Sequence, residues 1–505
     1  MTSPTGAGVR CGVPDGLLLT SARLPHLPGD PDPGGAHDDG GPTLDIRVSN
    51  GLVVEIGHHL RRRTGEAVVD CAGGAVLPGL CDHHLHLHAL AARRASVECG
   101  PPGVRTGQQL REALATAPAD PHGWVRGVGY VETVDGRLDA LALDRLHAAR
   151  PVRIQHRGGS MWMLNSRAVD LLGLAGAGHP GIERDGDGRP TGLLWRADGW
   201  LRARLPASAP PDLAAVGGEL ASLGLTSVTD ATPDLDGTAT SSITAAMRSG
   251  ALPQRVMLLG APLEGPPLTS GESTAPEPSA GPYKIVLADS GLPALDDLTE
   301  RIATAHRAGR PVALHCVTEA ALVLLLAAVG EAGALAGDRI EHAGLVPEAL
   351  LPEIARLGLT VVTQPGFLAH RGHDFARDLP VEQHADLYRC RSLLDAAVPV
   401  ALSSDAPYGP LDPWQVIAAA AHRRAPDGAV IGPAERVSAG RALVAYLGAQ
   451  DDPGGPRRTV HVGAPADLVV LRVPLSEALR APDRDAVRAV FIGGDRVAAD
   501  PSLTA

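Results

Sequence analysis

Two histidines separated by one residue follow an apolar run in the first fifth of the chain. His84 and His86 lie in CDHHLHLHAL, residues 81–90, directly after AVLPGL. On an extended backbone, side chains two positions apart point to the same side, so both imidazoles can bind one metal ion. With 20 histidines in 505 residues, such a pair arises by chance about once per chain on composition alone. An exposed, histidine-rich turn is therefore an equally good interpretation of the pair by itself.

Three further ionisable residues each end an apolar, strand-like run. His315 ends PVALH, His342 ends RIEH and Asp405 ends VALSSD. Singly, a histidine in such a place is more often a hydrogen-bonded structural residue. If the runs are strands of one parallel barrel, however, their carboxyl ends converge on one mouth. The four histidines and the aspartate would then meet at one point, which suits zinc or a similar borderline cation.

The chain contains a single lysine, Lys284, whereas arginine is abundant. A GC-rich codon bias that turned lysines into arginines and left one by accident is the alternative to a specific role. A desolvated lysine can supply a neutral amine, which arginine cannot, so a function that requires an amine is indicated. The segment before it, residues 260–282, is rich in Pro, Gly and Ser and is typical of a mobile loop.

The elements that would position these residues alternate strand-like runs with helical patterns, as parallel α/β folds do. Eight runs are candidate strands, at residues 75–82, 227–230, 255–261, 283–288, 312–316, 339–342, 359–364 and 398–404. Eight is the number of strands that closes a (β/α)₈ barrel. A further run at 152–155 falls in a long stretch, roughly 95–215, that we interpret as a subdomain inserted after the first barrel strand.

Both ends of the chain contain short strand-like runs separated by turn residues. They lie at residues 16–20, 44–48, 51–56 and 67–70, and again at 466–473 and 487–497. A loop rich in Pro, Gly and Asp, at 24–42, separates the first two. We therefore predict a small β-sandwich domain built from residues 1–74 and 436–505, around a barrel at 75–435.

Composition and charge exclude several classes of protein. With 44% hydrophobic residues the chain is globular, and a net charge of -12 argues against nucleic acid or an anionic membrane as the main partner. A small-molecule substrate is expected instead. Residues 1–15 lack a secretory pattern and the chain lacks a long apolar run, so we expect a cytoplasmic protein. Six cysteines without CxxC spacing argue against disulfides and against a thiolate zinc site.

The ordered motifs resemble those of the metal-dependent amidohydrolase superfamily. These motifs are LPGLCDHHLH, the lone lysine, GRPVALHC, DRIEHAG and ALSSDAP. Residues 389–413, together with VVTQPGF and QHRGGSMWMLNS, are similar to the branch, amidohydrolase family 3, that contains N-substituted formamide deformylase. The resemblance covers residues 18–497 or so, and it is specific for the superfamily but much less specific for a substrate.

The resemblance implies a set of metal ligands. His84 and His86 would bind one divalent ion, most commonly zinc, and Asp405 would complete that site. A second ion would be bound by His315 and His342. A lysine carboxylated by CO₂, here Lys284, would bridge the two ions.

The implied reaction is hydrolysis of a non-peptide C–N bond, of the amide or N-acyl type, by metal-bound hydroxide. Asp405 would act as both ligand and general acid/base. His156 and Tyr388 are candidate donors to the oxyanion. Asp82 is interpreted either as a structural cap or as a residue that orients an imidazole, and the family implies a homodimer.

Two positions depart from the pattern of this branch, and two other functions remain open. Ser160 stands where the branch commonly has a histidine, and Arg196 stands near a common glutamate. If these positions touch substrate, we expect the protein to act on a different substrate from its better-known relatives, or to have lost activity. The alternatives are a deaminase of a cyclic amidine or heterocycle at a mononuclear site, and a non-catalytic barrel scaffold. The complete set of candidate ligands argues against the scaffold.

Overall fold

The computed structural model describes residues 16–27, 41–206, 211–263, 276–288 and 291–499. Two compact units make up the chain, one of Met1–His86 with Leu213–Ala505 and one of Leu87–Asp212. Most of the predicted loop at 24–42, the central part of the predicted loop at 260–282, and Cys11 lie outside the described residues. The five described cysteines are all buried, and no disulfide joins any two of them.

The first sheet belongs to the N-terminal part of the chain. Its strands are β1 (Gly16–Ala22), β2 (Leu44–Ser49), β3 (Leu52–Gly57) and β4 (Glu66–Asp70). They lie in the order β3-β2-β1-β4, with β1 antiparallel to β2 and parallel to β4.

The predicted strand at 75–82 is wrong as one element, because it divides at Gly79. β5 (Val76–Pro78) pairs antiparallel with residues 468–470, whereas β6 (Leu80–Leu85) pairs parallel with residues 225–230. A Cβ atom at Gly79 would lie 2.1 Å from Oγ1 of Thr226, so only glycine fits where the chain passes from one sheet to the other. The first strand that leads to the candidate site therefore begins at Leu80.

The second unit is an α/β unit with its own core. Its helices are α1 (Leu87–Arg94), α2 (Gly107–Thr116), α3 (Ala140–Leu146), α4 (Ser166–Leu171) and α5 (Asp198–Arg202). Its strands are β7 (Val97–Glu98), β8 (Val125–Tyr130), β9 (Val152–His156), β10 (Met161–Leu164), β11 (Ile182–Arg184) and β12 (Pro190–Trp195). The sheet order is β11-β12-β10-β9-β8-β7.

The following segment has a TIM-barrel-type α/β fold, in which parallel strands alternate with helices. The strands are β13 (Leu225–Asp230), β14 (Arg255–Leu258), β15 (Ser279–Ala280), β16 (Tyr283–Val286), β17 (Val312–Cys316), β18 (Arg339–His342), β19 (Thr360–Thr363) and β20 (Val400–Leu402). The helices are α6 (Ala214–Ser222), α7 (Gly237–Arg248), α8 (Leu295–Arg307), α9 (Glu319–Ala332), α10 (Leu351–Arg356), α11 (Gly366–Asp378), α12 (Arg391–Asp395) and α13 (Pro413–His422). Seven of the eight predicted runs each overlap one strand of this segment, the run at 75–82 overlaps β5 and β6 instead, and the short β15 was not predicted.

These strands form two parallel sheets, in the orders β15-β14-β13-β6 and β16-β17-β18-β19-β20. Within the described ranges no continuous ladder joins the two sheets. Backbone hydrogen bonds nevertheless connect them on both sides, from Lys284 N to Leu259 O (3.1 Å) and from Asp405 N to His84 O (2.8 Å). The second of these bonds ties two candidate ligands directly to each other.

Helix α8 shows how the sequence fixes the outer layer. Its apolar residues Leu298, Ile302 and Ala305 recur every three or four positions and are buried, as on the core-facing side of an amphipathic helix. Acidic residues occupy its first turn and basic residues its last turn, which complements the helix dipole.

The C-terminal segment follows the α/β segment and ends in an antiparallel sheet. It contains α14 (Ala439–Val444), β21 (Gly448–Ala449), β22 (Asp452–Arg457), β23 (Leu468–Leu471), α15 (Leu475–Arg480), β24 (Val487–Ile492) and β25 (Asp495–Ala499). A sheet of order β25-β24-β23-β5 shares one hydrophobic core with the first sheet, in which Ile46 and Phe491 are both buried. None of the described helices is long and apolar enough to span a membrane.

Candidate active site

Three of the predicted ligand side chains converge at the carboxyl ends of β6 and β20. Nε2 of His84 lies 3.5 Å from Oδ1 of Asp405, and Nε2 of His86 lies 3.2 Å from the same oxygen. Each of the three residues offers one ligand atom, and these atoms all lie within 4.8 Å of one another. The alternation of side chains along an extended backbone places both imidazoles on one side, as the sequence predicted.

The other two predicted histidines lie beside this group. The ring centroids of His315 and His342 are 4.4 Å apart, and those of His84 and His342 are 4.7 Å apart. Nδ1 of His342 is 3.8 Å from Oδ2 of Asp405. The carboxylate of Asp405 thus lies between the pair of imidazoles from β6 and the imidazole at the end of β18.

The backbone at two of these residues adopts a conformation that is rare for side chains other than glycine. His342 has a φ of 72° and Asp405 a φ of 52°, both in the left-handed region, which costs about 1–3 kcal/mol per residue. The turn at Asp405 is held by the amide of Tyr408, which donates to the Asp405 carbonyl at 2.8 Å. Such strain clusters at functional sites, where it directs a side chain that the strand geometry alone would point elsewhere.

Lys284 brings a buried amine to the same region. The residue is 4% exposed, and its Nζ atom has no hydrogen-bond partner. Burial lowers the pKa of Lys284 from its usual 10.5 to about 8, while the nearby carboxylates of Glu341 and Asp405 oppose this shift. A substantial fraction of the amine is therefore neutral in mildly alkaline solution, and neutral amine is the form that reacts with CO₂.

Each of three imidazoles is fixed through its Nδ1 atom by a residue that the sequence did not single out. Nδ1 of His84 contacts the carboxylate of Glu341, and Nδ1 of His86 lies 3.1 Å from Oγ1 of Thr232. Nδ1 of His342 lies 2.9 Å from the side-chain oxygen of Gln364. The available signal was a polar residue inside, or directly after, an apolar strand, as in RIEH, SVTDAT and TVVTQ. These contacts leave the Nε2 atoms of His84 and His86 directed at Asp405.

Burial keeps the imidazoles of His84 and His342 neutral. The pKa values of His84 and His342 lie well below the ordinary value, first because burial disfavours the charged ring and then because other basic groups lie nearby. Neutral imidazole is the form that binds a metal ion.

Asp82 supports the site through backbone hydrogen bonds, which agrees with the interpretation as a structural cap and corrects the alternative that it orients an imidazole. Its Oδ1 atom accepts hydrogen bonds from the amides of His84 (3.1 Å) and Ser404 (3.2 Å). Burial raises the pKa of Asp82 to about 7. The carboxyl group thus connects the segment that carries the histidine pair to the segment that carries Asp405.

The two candidate oxyanion donors lie in different units. Tyr388 is buried, with a φ of 42°, and its amide donates to the carbonyl of Gly344 just beyond β18. His156 belongs to the second unit, where its Nε2 lies 3.3 Å from Glu132. The two departures from the family pattern also lie in that unit.

Those two departures are joined to each other. The amide of Arg196 donates to the carbonyl of Ser160 at 2.8 Å. The two positions flank the antiparallel ladder of β10 and β12, in which Met161 pairs with Trp195, so strand pairing brings them together although they are distant in the sequence.

The donor set fits a divalent metal ion. Nε2 of His84, Oδ1 of Asp405 and Nζ of Lys284 are buried and lack hydrogen-bond partners, whereas buried polar atoms nearly always have one. Two imidazole nitrogens and a carboxylate oxygen that face one another at contact distance are typical ligands of zinc. A cation held between them would satisfy the unpartnered atoms of His84 and Asp405.

Comparisons with known proteins show what the chain as a whole is similar to. A family model described as the amidohydrolase family matches residues 67–498. The chain is 26% identical over 493 aligned residues to N-substituted formamide deformylase from Arthrobacter pascens, covering 84% of this chain and 89% of that protein.

Solved structures share the fold at lower identity. An uncharacterized metal-dependent hydrolase from Pyrococcus horikoshii gives a TM-score of 0.70 at 18% identity, covering 95% of this chain and 99% of that one. N-isopropylammelide isopropylaminohydrolase from Burkholderia multivorans gives a TM-score of 0.51 at 18% identity, with coverages of 95% and 97%.

Proposed function

The chain belongs to the amidohydrolase family, and on this basis we propose that it is a metal-dependent hydrolase of a C–N bond other than a peptide bond. The bond is of the amide or N-acyl type. The single observation that carries the proposal is the convergence of His84, His86 and Asp405 through three potential ligand atoms. The relative from Arthrobacter pascens is an N-substituted formamide deformylase, which makes N-formyl compounds the first class to test.

We assign the ligands to two ions. His84, His86 and Asp405 would hold the first divalent ion, most simply zinc. His315 and His342 would hold the second, and a carboxylated Lys284 would lie between the two. When bound, such ions lower the pKa of a coordinated water and polarise a carbonyl group.

Asp405 is the residue that we expect to move the proton. Its two oxygens face different partners, since Oδ1 lies near the Nε2 atoms of His84 and His86, and Oδ2 lies toward His342. From this position the carboxylate can accept a proton from the attacking water and donate it to the leaving nitrogen.

Tyr388 is suited to donate a hydrogen bond to the oxyanion. Burial raises the pKa of its phenol, so the hydroxyl keeps its proton throughout the neutral range and acts as a donor. Its backbone is tied to Gly344, two residues beyond His342, which is consistent with a place at the mouth of the site. A preorganised donor of this kind stabilises a developing negative charge.

The neutral amine of Lys284 supports the carbamate assignment. Its nitrogen would attack the carbon of CO₂, form one N–C bond and release one proton to solvent. The product carries an anionic carboxylate, which would replace an unpartnered buried amine by a group able to bind two cations.

We also propose that the two parallel sheets form one closed (β/α)₈ barrel, with the small β-sandwich built by the two chain ends. Hydrogen bonds on both sides of the sheets support this, from Lys284 to Leu259 and from Asp405 to His84. In such a barrel the candidate ligands share the mouth formed by the strand carboxyl ends.

A deaminase of a cyclic amidine or heterocycle is the second candidate. One observation favours it, because His84, His86 and Asp405 form a ligand group of their own without His315 or His342. A mononuclear site of that composition would be sufficient for the deaminase.

The test is a substrate panel assayed with the zinc-loaded full chain and with the chelator-treated chain. N-formyl and other N-acyl amines should release a carboxylic acid and an amine, and chelation should abolish this release. Release of ammonia from cyclic amidines alone would favour the deaminase. Turnover that survives complete metal removal would overturn the proposal, and inactivity throughout the panel despite bound metal would favour the scaffold.

A further inference from the structure

A buried carboxylate and a buried guanidinium on β18 contact β6, the strand of the other sheet that carries His84. Glu341 of β18 is 0% exposed and contacts Nδ1 of His84, which is also 0% exposed. The Nε atom of Arg339, two residues earlier on the same strand, donates to the other carboxylate oxygen of Glu341 at 2.5 Å. The guanidinium also donates through Nη2 to the carbonyl of His83 at 3.2 Å.

The hydrogen bonds fix which nitrogen of His84 carries the hydrogen. One carboxylate oxygen of Glu341 accepts from Arg339, and the other oxygen is the acceptor that faces Nδ1 of His84. A neutral imidazole beside that carboxylate must therefore donate from Nδ1. Its Nε2 atom then has a free lone pair, and this is the atom that lies 3.5 Å from Asp405.

Stability alone does not explain why the ion pair of Glu341 and Arg339 is buried. Burying an ion pair is often no better for stability than packing apolar side chains of similar volume in its place. Here the pair also leaves Nη1 of Arg339 buried without a hydrogen-bond partner, a further cost. The effect of this pair on His84, namely which ring nitrogen carries the hydrogen, is therefore the better explanation.

We infer that Glu341, held by Arg339, is a positioning residue that turns Nε2 of His84 toward the first metal ion and strengthens its electron donation. The inference rests on the proposed metal site and adds a residue outside the ligand set. The other two fixed imidazoles contact neutral partners, Thr232 and Gln364. His84 is thus the imidazole with an anionic partner, which makes it the strongest donor of the three.

The chain offers a matched control in Asp338, which immediately precedes Arg339. Its side chain is 1% exposed, and it contacts Nε2 of His306 at 3.0 Å. It also accepts from the amide of Val312 at 2.8 Å. Asp338→Asn therefore neutralises a buried carboxylate that contacts a histidine, but this histidine is not among the candidate ligands.

The experiment measures zinc affinity of the metal-free full chain by competition with a chromophoric chelator. Glu341→Gln should weaken the tightest zinc site by about 10–100-fold, because the amide has an NH₂ donor in place of one of the two oxygens that accept from His84 and Arg339. Asp338→Asn should leave that affinity unchanged, although both variants should melt at a lower temperature than the native chain. Unchanged zinc affinity in Glu341→Gln, or an equal loss of zinc affinity in Asp338→Asn, would overturn this inference but not the proposed metal site. A native chain that binds no zinc would overturn the proposed site as well.

A second measurement does not depend on whether Glu341→Gln folds. In the metal-free native chain labelled with ¹⁵N at histidine, the His84 signal, identified by its loss in His84→Asn, should show hydrogen on Nδ1. Hydrogen on Nε2 instead would contradict the positioning role.

Discussion

Nε2 of His86 lies 3.2 Å from Oδ1 of Asp405, which places the carboxyl end of β6 against that of β20. Two potential ligand atoms at this distance, both near Nε2 of His84, leave room for one shared cation. This contact locates the site better than any single motif does, because it joins two residues, His86 and Asp405, that lie far apart in the sequence. The predictions below test what this group of atoms does.

Replacing Asp405 should abolish turnover without unfolding the chain. In Asp405→Asn the side chain keeps its shape but loses the charge that accepts and returns the proton, so kcat should fall by at least about 10²-fold. Steady-state kinetics on any substrate identified in the panel gives the comparison. Asp467→Asn is the control, since it removes another buried carboxylate, which immediately precedes β23 and pairs with Arg255 of β14 at 2.8 Å. An Asp405→Asn enzyme with native kcat would contradict the catalytic role.

The single lysine allows a clean test for a carbamate. Carbon-13 NMR of the chain equilibrated with labelled bicarbonate should give one carbamate signal that is absent from Lys284→Arg, because arginine remains protonated. In the metal-free chain the signal should decrease as the pH falls through about 8, where the buried amine of Lys284 gains its proton. A signal that persists in Lys284→Arg would assign the carbamate to the α-amino group instead.

Gln364 should matter for the second ion more than for the first. Gln364→Leu removes the acceptor 2.9 Å from Nδ1 of His342, and loss of such a partner typically weakens metal binding by about 10-fold or more. Calorimetric titration with zinc should show a larger loss of affinity at the weaker of the two sites than at the tighter one. Thr363→Val, which removes a buried hydroxyl that has no hydrogen-bond partner, should leave both sites intact. Equal effects of the two substitutions would argue against an orienting role for Gln364.

Two adjacent glycines in α6 test the packing of that helix. A Cβ atom at Gly217 would lie 2.2 Å from the carbonyl oxygen of Ala251, whereas a Cβ atom at Gly218 would meet nothing within 4 Å. Gly217→Ala should therefore lower the free energy of unfolding by about 1–3 kcal/mol through overpacking. Gly218→Ala should raise it by about 0.5–1 kcal/mol, because alanine is the better helix former. Denaturant unfolding that ranks the two variants in the opposite order would contradict the packing.

Much of the fold was predictable because its signals are local. Apolar runs ending in His315, His342 or Asp405 mark both the strands and their functional ends, and membership of the amidohydrolase family is confirmed by the match over residues 67–498. The division of the strand at Gly79 could not be predicted, since it depends on Thr226, a residue that only the folded chain brings close.

The supporting residues of the site were missed for a similar reason. Glu341 looks like an ordinary strand residue in RIEH, and its contact with His84 crosses from one parallel sheet to the other. Periodicity gives the face of a strand on which a side chain lies, but not which residue of a distant strand it meets. The same holds for Thr232 and Gln364, whose partners are likewise distant in the sequence.

Metal content per chain, measured by elemental mass spectrometry on the purified native protein and on His86→Ala, tests the central claim most directly. The account predicts about two divalent ions per native chain and a loss of bound metal in the variant, because His86 contributes to the group with His84 and Asp405. A native chain that holds no ion, even after reconstitution with zinc, manganese and iron, would contradict it.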